Sequence, residues 1–120
     1  PSPLEEELKL SPYIGNVMLF GLNKPHNVAL VVLNQVNLAK WAEREGVTLG
    51  DPTTNPQVLA LLKAELETHS KDFRGYERPK GFALLTEDFT VENGMLTPKM
   101  SVRRNQVLKR YQATLDKLYT

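Results

Sequence analysis

The sequence contains no cysteine, which excludes disulfide bonds, thiol nucleophiles and thiolate metal sites. It also has little excess of one charge. The net charge is +1 with the histidines neutral, so the total does not point to nucleic acid or to an anionic membrane. The longest apolar runs, such as VALVVL at 28–33, are far too short to span a bilayer. Any electrostatic function must therefore be local.

The composition is otherwise ordinary for a globular protein. The 120 residues are 41% apolar and 24% charged, and they fit one domain. The absence of cysteine agrees with a reducing cytoplasm, so we expect a cytoplasmic location. The chain lacks an initiator methionine and its last residues read like a natural end. We therefore expect a domain cut from a longer protein.

The first part of the chain predicts a short helix and two strands. Ser2 and Glu5 form a capping box with proline at the first helical position, which predicts a helix over 4–10. IGNVMLFG at 14–21 and NVALVVLN at 27–34 are β-branched and apolar, with a turn-rich segment between them. Two neighbouring antiparallel strands are the simplest interpretation.

Two helices are predicted in the middle of the chain. The pattern at 36–45 is helical, and Gly46 closes it. After a loop, Asn55 caps a longer helix that has Pro56 at its first position. The side chains predicted to point inward are Val36, Leu38, Ala39, Trp41 and Ala42 in the first helix, and Val58, Leu59, Leu62, Leu66 and His69 in the second.

The rest of the chain predicts a third strand, a hairpin and a closing helix. FALLT at 82–86 is the strand, and FTVENGMLT at 89–97 is a hairpin whose Asn93-Gly94 pair suits a primed turn. One apolar stripe marks the closing helix: Leu108, Tyr111, Leu115 and Leu118. The predicted fold class is α+β: a small three-stranded sheet covered by helices, with a β-hairpin leading into a C-terminal helix.

One stretch, ENGMLTPKMSVRRNQVLKRY at 92–111, is strongly basic. No acid follows Glu92 until Asp116, and the cations between them are Lys99, Arg103, Arg104, Lys109 and Arg110. If the closing helix begins near Ser101, two arginines lie in its first turn, where free amide groups and the helix dipole also favour an anion. Phosphate or carboxylate suits such a site. The alternative is a solvated basic face in which Ser101 merely caps the helix.

Other candidate sites are weaker. His26 and His69 have no third ligand at metal-like spacing, so no metal site is predicted. The acids at 5–7 lie in the first turns of a helix, where acids favour the helix dipole. A polar cluster of ordinary connector character contains Arg74, Tyr76, Arg78 and Lys80. Composition and spacing alone therefore predict one anion site and no particular reaction.

Two long segments carry a resemblance to a known family. They are SPYIGNVMLFGLNKPHNVALVVLN at 11–34 and YERPKGFALLTEDFTVENGMLTPKMSVRRNQVLKRY at 76–111. Within and around them SPYI, the aliphatic strand pair, GYE, the phenylalanine of the third strand and ENGxLTP occur in the family's order and spacing. Over nearly its whole length the chain resembles the C-terminal domain of long-chain fatty acyl-CoA synthetases, which belong to the adenylate-forming superfamily.

The resemblance implies a two-step reaction of a full-length enzyme. A fatty-acid carboxylate attacks the α-phosphate of ATP, with Mg²⁺, to give acyl-adenylate and pyrophosphate, and the thiol of CoA then displaces AMP. The large N-terminal domain carries the ATP and fatty-acid pockets. The C-terminal domain is a lid that swings between two orientations and contributes positioning and charge.

Residues 1–120 would then be a single lid domain without its hinge, and we expect the isolated chain to be inactive. The implied partners are its own N-terminal adenylation domain and the fatty acid, with no nucleic acid. Peripheral association of the full-length enzyme with a membrane is left open.

The basic stretch departs from the family's motif. Long-chain members commonly read LTPTxKxKR, and when this is laid on Leu96 the usual lysine falls on Arg103, the preceding lysine on Ser101 and the threonine on Lys99. We rank Arg103 first and Lys99 second as the catalytic cation. A third interpretation is that adenylation is weakened and the lid serves mainly thioester formation. Predicted contacts to the phosphates of adenylate or CoA are Arg104, Ser101 and Lys80.

Two alternatives stay open at this stage. One is the lid of a fatty acyl-AMP ligase or acyl-carrier-protein synthetase, which passes its acyl group to a carrier protein. The other is a stand-alone module that binds nucleic acid or anionic lipid through the basic stretch, with an affinity that falls steeply with salt.

Overall fold

A three-stranded sheet between two layers of helices forms the frame of the domain. The computed structural model describes residues 3–21 and 24–119. In these residues the elements are α1 (Pro3–Leu8), β1 (Ile14–Phe20), β2 (Val28–Leu33), α2 (Gln35–Glu45), α3 (Pro56–Ser70), β3 (Gly81–Leu85), α4 (Arg104–Arg110) and α5 (Gln112–Leu118). The α+β fold class predicted from the sequence is confirmed. No helix in the described ranges combines the length and apolar character needed to cross a membrane.

The sheet has the order β1-β2-β3 and is mixed. β1 and β2 are antiparallel, with Phe20 opposite Val28, as predicted for two strands joined by a turn. β2 and β3 are parallel, with Val28 opposite Gly81. A parallel pair needs a long crossover connection, and α2 and α3 supply it.

The central strand β2 is buried on both faces and supplies side chains to two separate cores. On one face it meets α1, α2 and α3, and on the other it meets α4, α5 and the segment before α4. The first core contains Leu4, Leu8, Ile14, Val17, Ala29, Val31, Leu33, Leu38, Val58, Leu62, Leu66 and Leu84. The second contains Met18, Val28, Leu30, Val32, Leu85, Phe89, Met95, Leu96, Val107 and Leu115. Successive β2 residues alternate between the cores, as the pleat requires.

The predicted ends of α2 and α3 are confirmed. Gly46 closes α2 in the left-handed conformation, with φ 67°. Asn55 caps α3 by accepting hydrogen bonds from the N–H groups of Gln57 and Val58, and Pro56 is the first helical residue. These ends could be predicted because glycine tolerates positive φ and a short amide side chain reaches the first free N–H groups.

The predicted inward face of α2 is wrong at two positions. Val36 is 67% exposed and Ala39 is exposed, whereas Leu38 and Ala42 are buried. Residues four apart share one face of a helix, and the residues next to them point elsewhere. The face of α2 that meets the sheet is therefore narrower than the apolar sequence suggests.

The predicted hairpin is present as a single antiparallel bridge between Leu96 and Val102, and the turn that closes it lies at 97–101. Asn93 and Gly94 form an earlier turn. There the Asn93 side chain accepts from the N–H groups of Thr90 and Met95, and Gly94 has φ 81°. The chain therefore reverses later in the sequence than predicted, at 97–101 instead of at Asn93 and Gly94.

The closing helix differs from its prediction in two ways. It begins at Arg104 rather than near Ser101, and it breaks at Tyr111 into α4 and α5. Val107, absent from the predicted stripe, is fully buried beside Leu115. The predicted residues Leu108, Tyr111 and Leu118 pack against the same core while partly exposed.

The first helix ends earlier than predicted, at Leu8 instead of Leu10. Ser2 of the predicted capping box lies outside the described residues.

Replacement of a β2 side chain tests the dependence of the fold on this strand. Leu30 is fully buried at the centre of the sheet, so Leu30→Ala is expected to lower the free energy of unfolding by about 2–5 kcal/mol. Leu10→Ala is the matched control, since Leu10 is 67% exposed and its loss is expected to cost less than about 0.5 kcal/mol. Urea unfolding of the 120-residue chain measures both. Equal losses for the two variants would contradict the described core.

Candidate functional site

A tight turn carries the first of the predicted site residues. We call residues 97–104 the basic turn. The C=O of Thr97 accepts from the N–H of Met100 at 2.8 Å, and the N–H of Thr97 donates to the C=O of Ser101 at 2.8 Å. Met100 has φ 66°, so a three-residue loop ends in a left-handed residue. Backbone hydrogen bonds thus fix the shape of the loop.

Arg103 lies where the basic turn joins α4, as the N-cap residue of that helix. Its N–H donates to the C=O of Met95 at 2.7 Å, and its own C=O accepts from the N–H groups of Gln106 and Val107. Its side chain is exposed, and within the described ranges no hydrogen bond or ion pair engages the guanidinium. The backbone is therefore fixed while the charged group stays available.

Lys99 lies in the loop of the same turn and is also exposed. In the described part of the chain its ammonium group has no ion pair, and the first turn of α4 contains no acid. Two uncompensated cations thus belong to one short segment. A segment of this kind favours an anionic ligand.

Arg104 has a different environment from Arg103. Its Nη2 pairs with Oε1 of Glu5 at 2.5 Å, and its Nη1 donates to the C=O of Leu19 at 3.2 Å. The Glu5 side chain is 3% exposed, whereas that of Arg104 is 45% exposed. Arg104 is therefore anchored on one side and open to solvent on the other.

Burial of Glu5 corrects the interpretation of the acids at 5–7 as residues that merely favour the helix dipole. Besides the ion pair, its Oε2 accepts from the N–H of Leu19 at 2.7 Å. The sequence contained one signal for this position. Glu5 lies beside Leu4 and three residues before Leu8, on the apolar side of α1.

Ser101 is exposed, and its backbone groups both bond to Thr97. The interpretation in which Ser101 caps the closing helix is wrong, because the helix begins three residues later and its N-cap is Arg103. Ser101 instead lines a pocket of about 120 Å³ beside β1, together with Asn16 and Lys9.

Lys80 lies apart from the basic turn, in the connector before β3. Its N–H donates to the C=O of Asn27 at 2.8 Å. It lines a pocket of about 170 Å³ together with Lys63, Arg78 and the buried Ser70, whose Oγ accepts from Nε of Arg78 at 3.2 Å. The structure therefore divides the predicted residues between two places: Lys80 in one, and Arg103, Lys99, Ser101 and Arg104 in the other.

A larger cleft of about 550 Å³ lies between Arg104 and the connector before β3. Its connector side is formed by the exposed Tyr76 and by Glu77, whose C=O groups both accept from the side-chain amide of Asn27. Asn27 was not singled out in the sequence. A polar residue at the start of an otherwise apolar strand was the available signal.

The Mg²⁺ implied by the resemblance does not fit the described residues, which contain no group of three His, Asp or Glu placed to hold a metal ion. His69 illustrates the reason. Its Nδ1 faces Glu7 at 3.7 Å and its Nε2 faces Glu65 at 3.8 Å, so the two carboxylates lie against different nitrogens of the ring. We assign none of the described residues to a metal ion.

The far end of α4 carries an ion pair at the surface. Arg110 pairs with Glu87 at 2.7 Å, and both side chains are about half exposed. Burial raises the pKa of Tyr111, and the negative charge of Glu87 raises it further. This pair provides a surface counterpart to the pair between Glu5 and Arg104.

Comparison with known proteins decides the family. The sequence profile described as "AMP-binding enzyme C-terminal domain" matches residues 1–120. The chain belongs to this family. The resemblance noted in the sequence is thereby confirmed.

Similar proteins that contain this AMP-binding C-terminal domain are much longer than the chain. The long-chain-fatty-acid–CoA ligase FadD15 of Mycobacterium tuberculosis is 28% identical over 123 residues, which cover 99% of the chain and 20% of the ligase. Long chain acyl-CoA synthetase 6, peroxisomal, of Arabidopsis thaliana is 29% identical over 127 residues, covering 99% and 18%. The chain spans about a fifth of the length of these relatives.

A solved structure has the same fold as this AMP-binding C-terminal domain. The A-PCP didomain of carboxylic acid reductase from Segniliparus rugosus, in complex with AMP, matches with a TM-score of 0.77 and 27% identity, covering 97% of the chain and 15% of the didomain.

The left-handed residue of the basic turn is expected to limit stability. Met100 is 67% exposed, so Met100→Gly removes little packing. Glycine adopts the positive φ of this position without the steric cost of a Cβ atom, so the variant is expected to stabilise the domain by about 1 kcal/mol. Lys99→Gly is the control, because Lys99 does not have positive φ and glycine there only adds freedom to the unfolded chain. Urea unfolding compares the two variants. Stabilisation by Lys99→Gly, or its absence in Met100→Gly, would refute the described turn.

Proposed function

We propose that the chain is the mobile C-terminal lid of a long-chain fatty acid–CoA ligase. The lid closes over the active site, helps ATP-dependent formation of acyl-adenylate and then helps CoA to form the thioester. The observation that carries this proposal is the pair of exposed cations, Arg103 and Lys99, on a turn with a fixed backbone. Membership of the AMP-binding family and the similarity to acyl-CoA ligases support it.

Arg103 would act in the first half-reaction by holding negative charge. Its planar guanidinium can donate two parallel hydrogen bonds, so one side chain can contact a fatty-acid carboxylate and the α-phosphate of ATP together. The ammonium group of Lys99 would add a second charge from the loop. Neither group needs to exchange a proton, so the contribution is electrostatic stabilisation of the transition state.

The fixed backbone matters for this role. Donors that already point at the developing charge do not have to be reorganised during the reaction. The hydrogen bonds of Thr97 with Met100 and Ser101, and of Arg103 with Met95, supply that rigidity to the basic turn. Ser101 and the open side of Arg104 belong to the same turn and would contact the adenylate phosphates.

Lys80 would serve the second half-reaction by contacting the phosphates of CoA. Support comes from the three cations that surround its pocket, Lys63, Arg78 and Lys80, against one acid there, Glu67. The separation of this pocket from the basic turn suits a lid that presents different faces in the two steps.

The remaining reaction machinery would belong to the rest of a longer protein. Since the chain spans about a fifth of its relatives, the ATP pocket, the fatty-acid pocket and Mg²⁺ are assigned to an N-terminal adenylation domain. We propose residues 1–120 as one lid domain that has no turnover when isolated. We also propose a cytoplasmic location, with the full-length enzyme peripheral at a membrane.

Removal of the two cations tests the first half-reaction. In the full-length enzyme, Arg103→Ala is expected to slow acyl-adenylate formation about 100- to 1000-fold, because a charge aimed at the transition state is lost. Lys99→Ala is expected to slow it less. Pyrophosphate release in the absence of CoA measures this step. Lys109→Ala, which removes an exposed cation from α4, is the matched control and is expected to have no effect.

If neither Arg103→Ala nor Lys99→Ala slows pyrophosphate release, the assignment of the charge is wrong. Equal slowing by Lys109→Ala would show that only the overall charge matters.

Replacement of Lys80 tests the second half-reaction. Lys80→Ala is expected to raise the KM for CoA and to leave pyrophosphate release without CoA unchanged, because the two steps use separate sites. Kinetics with varied CoA measure the first quantity. A change in pyrophosphate release with an unchanged KM for CoA would contradict the assignment.

A second candidate is the lid of an adenylating enzyme that transfers its acyl group to a carrier protein. The similarity to the A-PCP didomain of a carboxylic acid reductase favours it. Incubation of the full-length enzyme with fatty acid, ATP and either CoA or a phosphopantetheinylated carrier protein separates the two candidates. Acyl transfer to CoA supports the first, and transfer to the carrier alone supports the second.

A further inference from the structure

The buried carboxylate of Glu5 joins three parts of the chain that are distant in sequence. Its Oε1 pairs with Arg104 of α4 at 2.5 Å, and its Oε2 accepts from the N–H of Leu19 in β1 at 2.7 Å. Arg104 in turn donates to the C=O of Leu19. One carboxylate and one guanidinium therefore hold α1, β1 and the first residue of α4 together. We call this set the Glu5–Arg104 clamp.

Apart from the clamp, the start of α4 is anchored through the backbone, by the hydrogen bond from the N–H of Arg103 to the C=O of Met95 at 2.7 Å. The helix has seven residues, and Val107 is the buried one. Its N-cap, Arg103, makes no side-chain capping hydrogen bond, and the first turn contains no acid. Leu108 packs against the same core while partly exposed. The side-chain contacts of α4 with the core therefore lie at 107–108, and its first residue can rotate about them. The clamp lies one turn before Val107 and opposes this rotation.

Arg103 is the neighbour of Arg104, so rotation of the helix start would move Arg103 as well. A catalytic group that is misplaced by about 1 Å can lose about 100-fold in rate. On the basis of the proposed function, we infer that Glu5 is a positioning residue for Arg103. It acts through Arg104 and the backbone of Leu19, and it does not itself touch the substrate.

The direct test is Glu5→Gln in the full-length enzyme. The amide keeps the size of the side chain, but it removes the charge and places a donor or a weaker acceptor against the guanidinium. Pyrophosphate release without CoA is expected to slow about 10- to 100-fold, with the KM for ATP and for fatty acid unchanged. Glu87→Gln is the matched control, since it breaks the surface pair with Arg110 on the same helix. It is expected to leave the rate unchanged.

A double-variant comparison separates positioning from a general structural effect. In an Arg103→Ala background, Glu5→Gln is expected to cause no further slowing, because the group that it positions is gone. The same slowing in both backgrounds would overturn the inference. So would an effect confined to the KM for ATP, which would place Glu5 with a phosphate contact of Arg104 instead.

Two further outcomes distinguish this inference from the proposed function. If Arg103→Ala slows pyrophosphate release and Glu5→Gln does not, the inference fails and the proposed function stands. If Arg103→Ala has no effect while Lys99→Ala slows the step, the inference again fails alone, and if neither variant slows it, both fail. Should Glu5→Gln not fold, as judged by circular dichroism, Glu5→Asp takes its place. It keeps the charge and shortens the reach, and it is expected to slow pyrophosphate release relative to the wild type, because the carboxylate no longer reaches both of its partners. A wild-type rate for a folded Glu5→Asp that has lost its hydrogen bond to Leu19, as judged by amide exchange, would also overturn the inference.

Discussion

Burial of β2 on both faces is the constraint on which the rest of the domain depends. All six of its side chains are within the core, and they alternate between two separate clusters. A strand of this kind needs a neighbour at each edge and a layer of helices on each face. The first two thirds of the chain supply one layer and the last third supplies the other. The basic turn belongs to the second layer, and Leu96 and Val107 attach it to the core.

The Glu5–Arg104 clamp connects the two layers around the outer edge of the sheet. Its two partners differ strongly in exposure, at 3% and 45%. Solvent around the exposed part of the Arg104 guanidinium screens its attraction to the Glu5 carboxylate. The clamp therefore contributes more to a defined geometry than to stability. The Glu5 carboxylate, in contrast, is buried and does contribute to stability. It also satisfies the N–H of Leu19, which would otherwise be left without its partner at a cost of about 1–3 kcal/mol.

Features that depend on neighbouring residues could be predicted from the sequence. Gly46 ends α2 and Asn55 begins α3 through local backbone chemistry. The strands could be predicted from their apolar, β-branched composition. Features that depend on distant partners could not. The pair between Glu5 and Arg104 spans 99 positions, so Glu5 looked like a surface acid and Arg104 like a second free cation. The motif identified Arg103 as the first candidate for the catalytic cation. The start of α4 at Arg104, which makes Arg103 the N-cap, depends on tertiary contacts and was not predicted.

The same clamp has a consequence for the edge of the sheet. β1 is an outer strand, and outer strands offer unpaired backbone groups to any extended chain that meets them. Here side chains form hydrogen bonds with those backbone groups. Glu5 accepts from the N–H of Leu19, and Arg104 donates to the C=O of the same residue. Asn16 accepts from the N–H of Val17. An extended segment of another chain would have to displace the buried carboxylate of Glu5 before it could pair with β1. The side chains of Glu5, Arg104 and Asn16 therefore protect this edge of the sheet from aggregation.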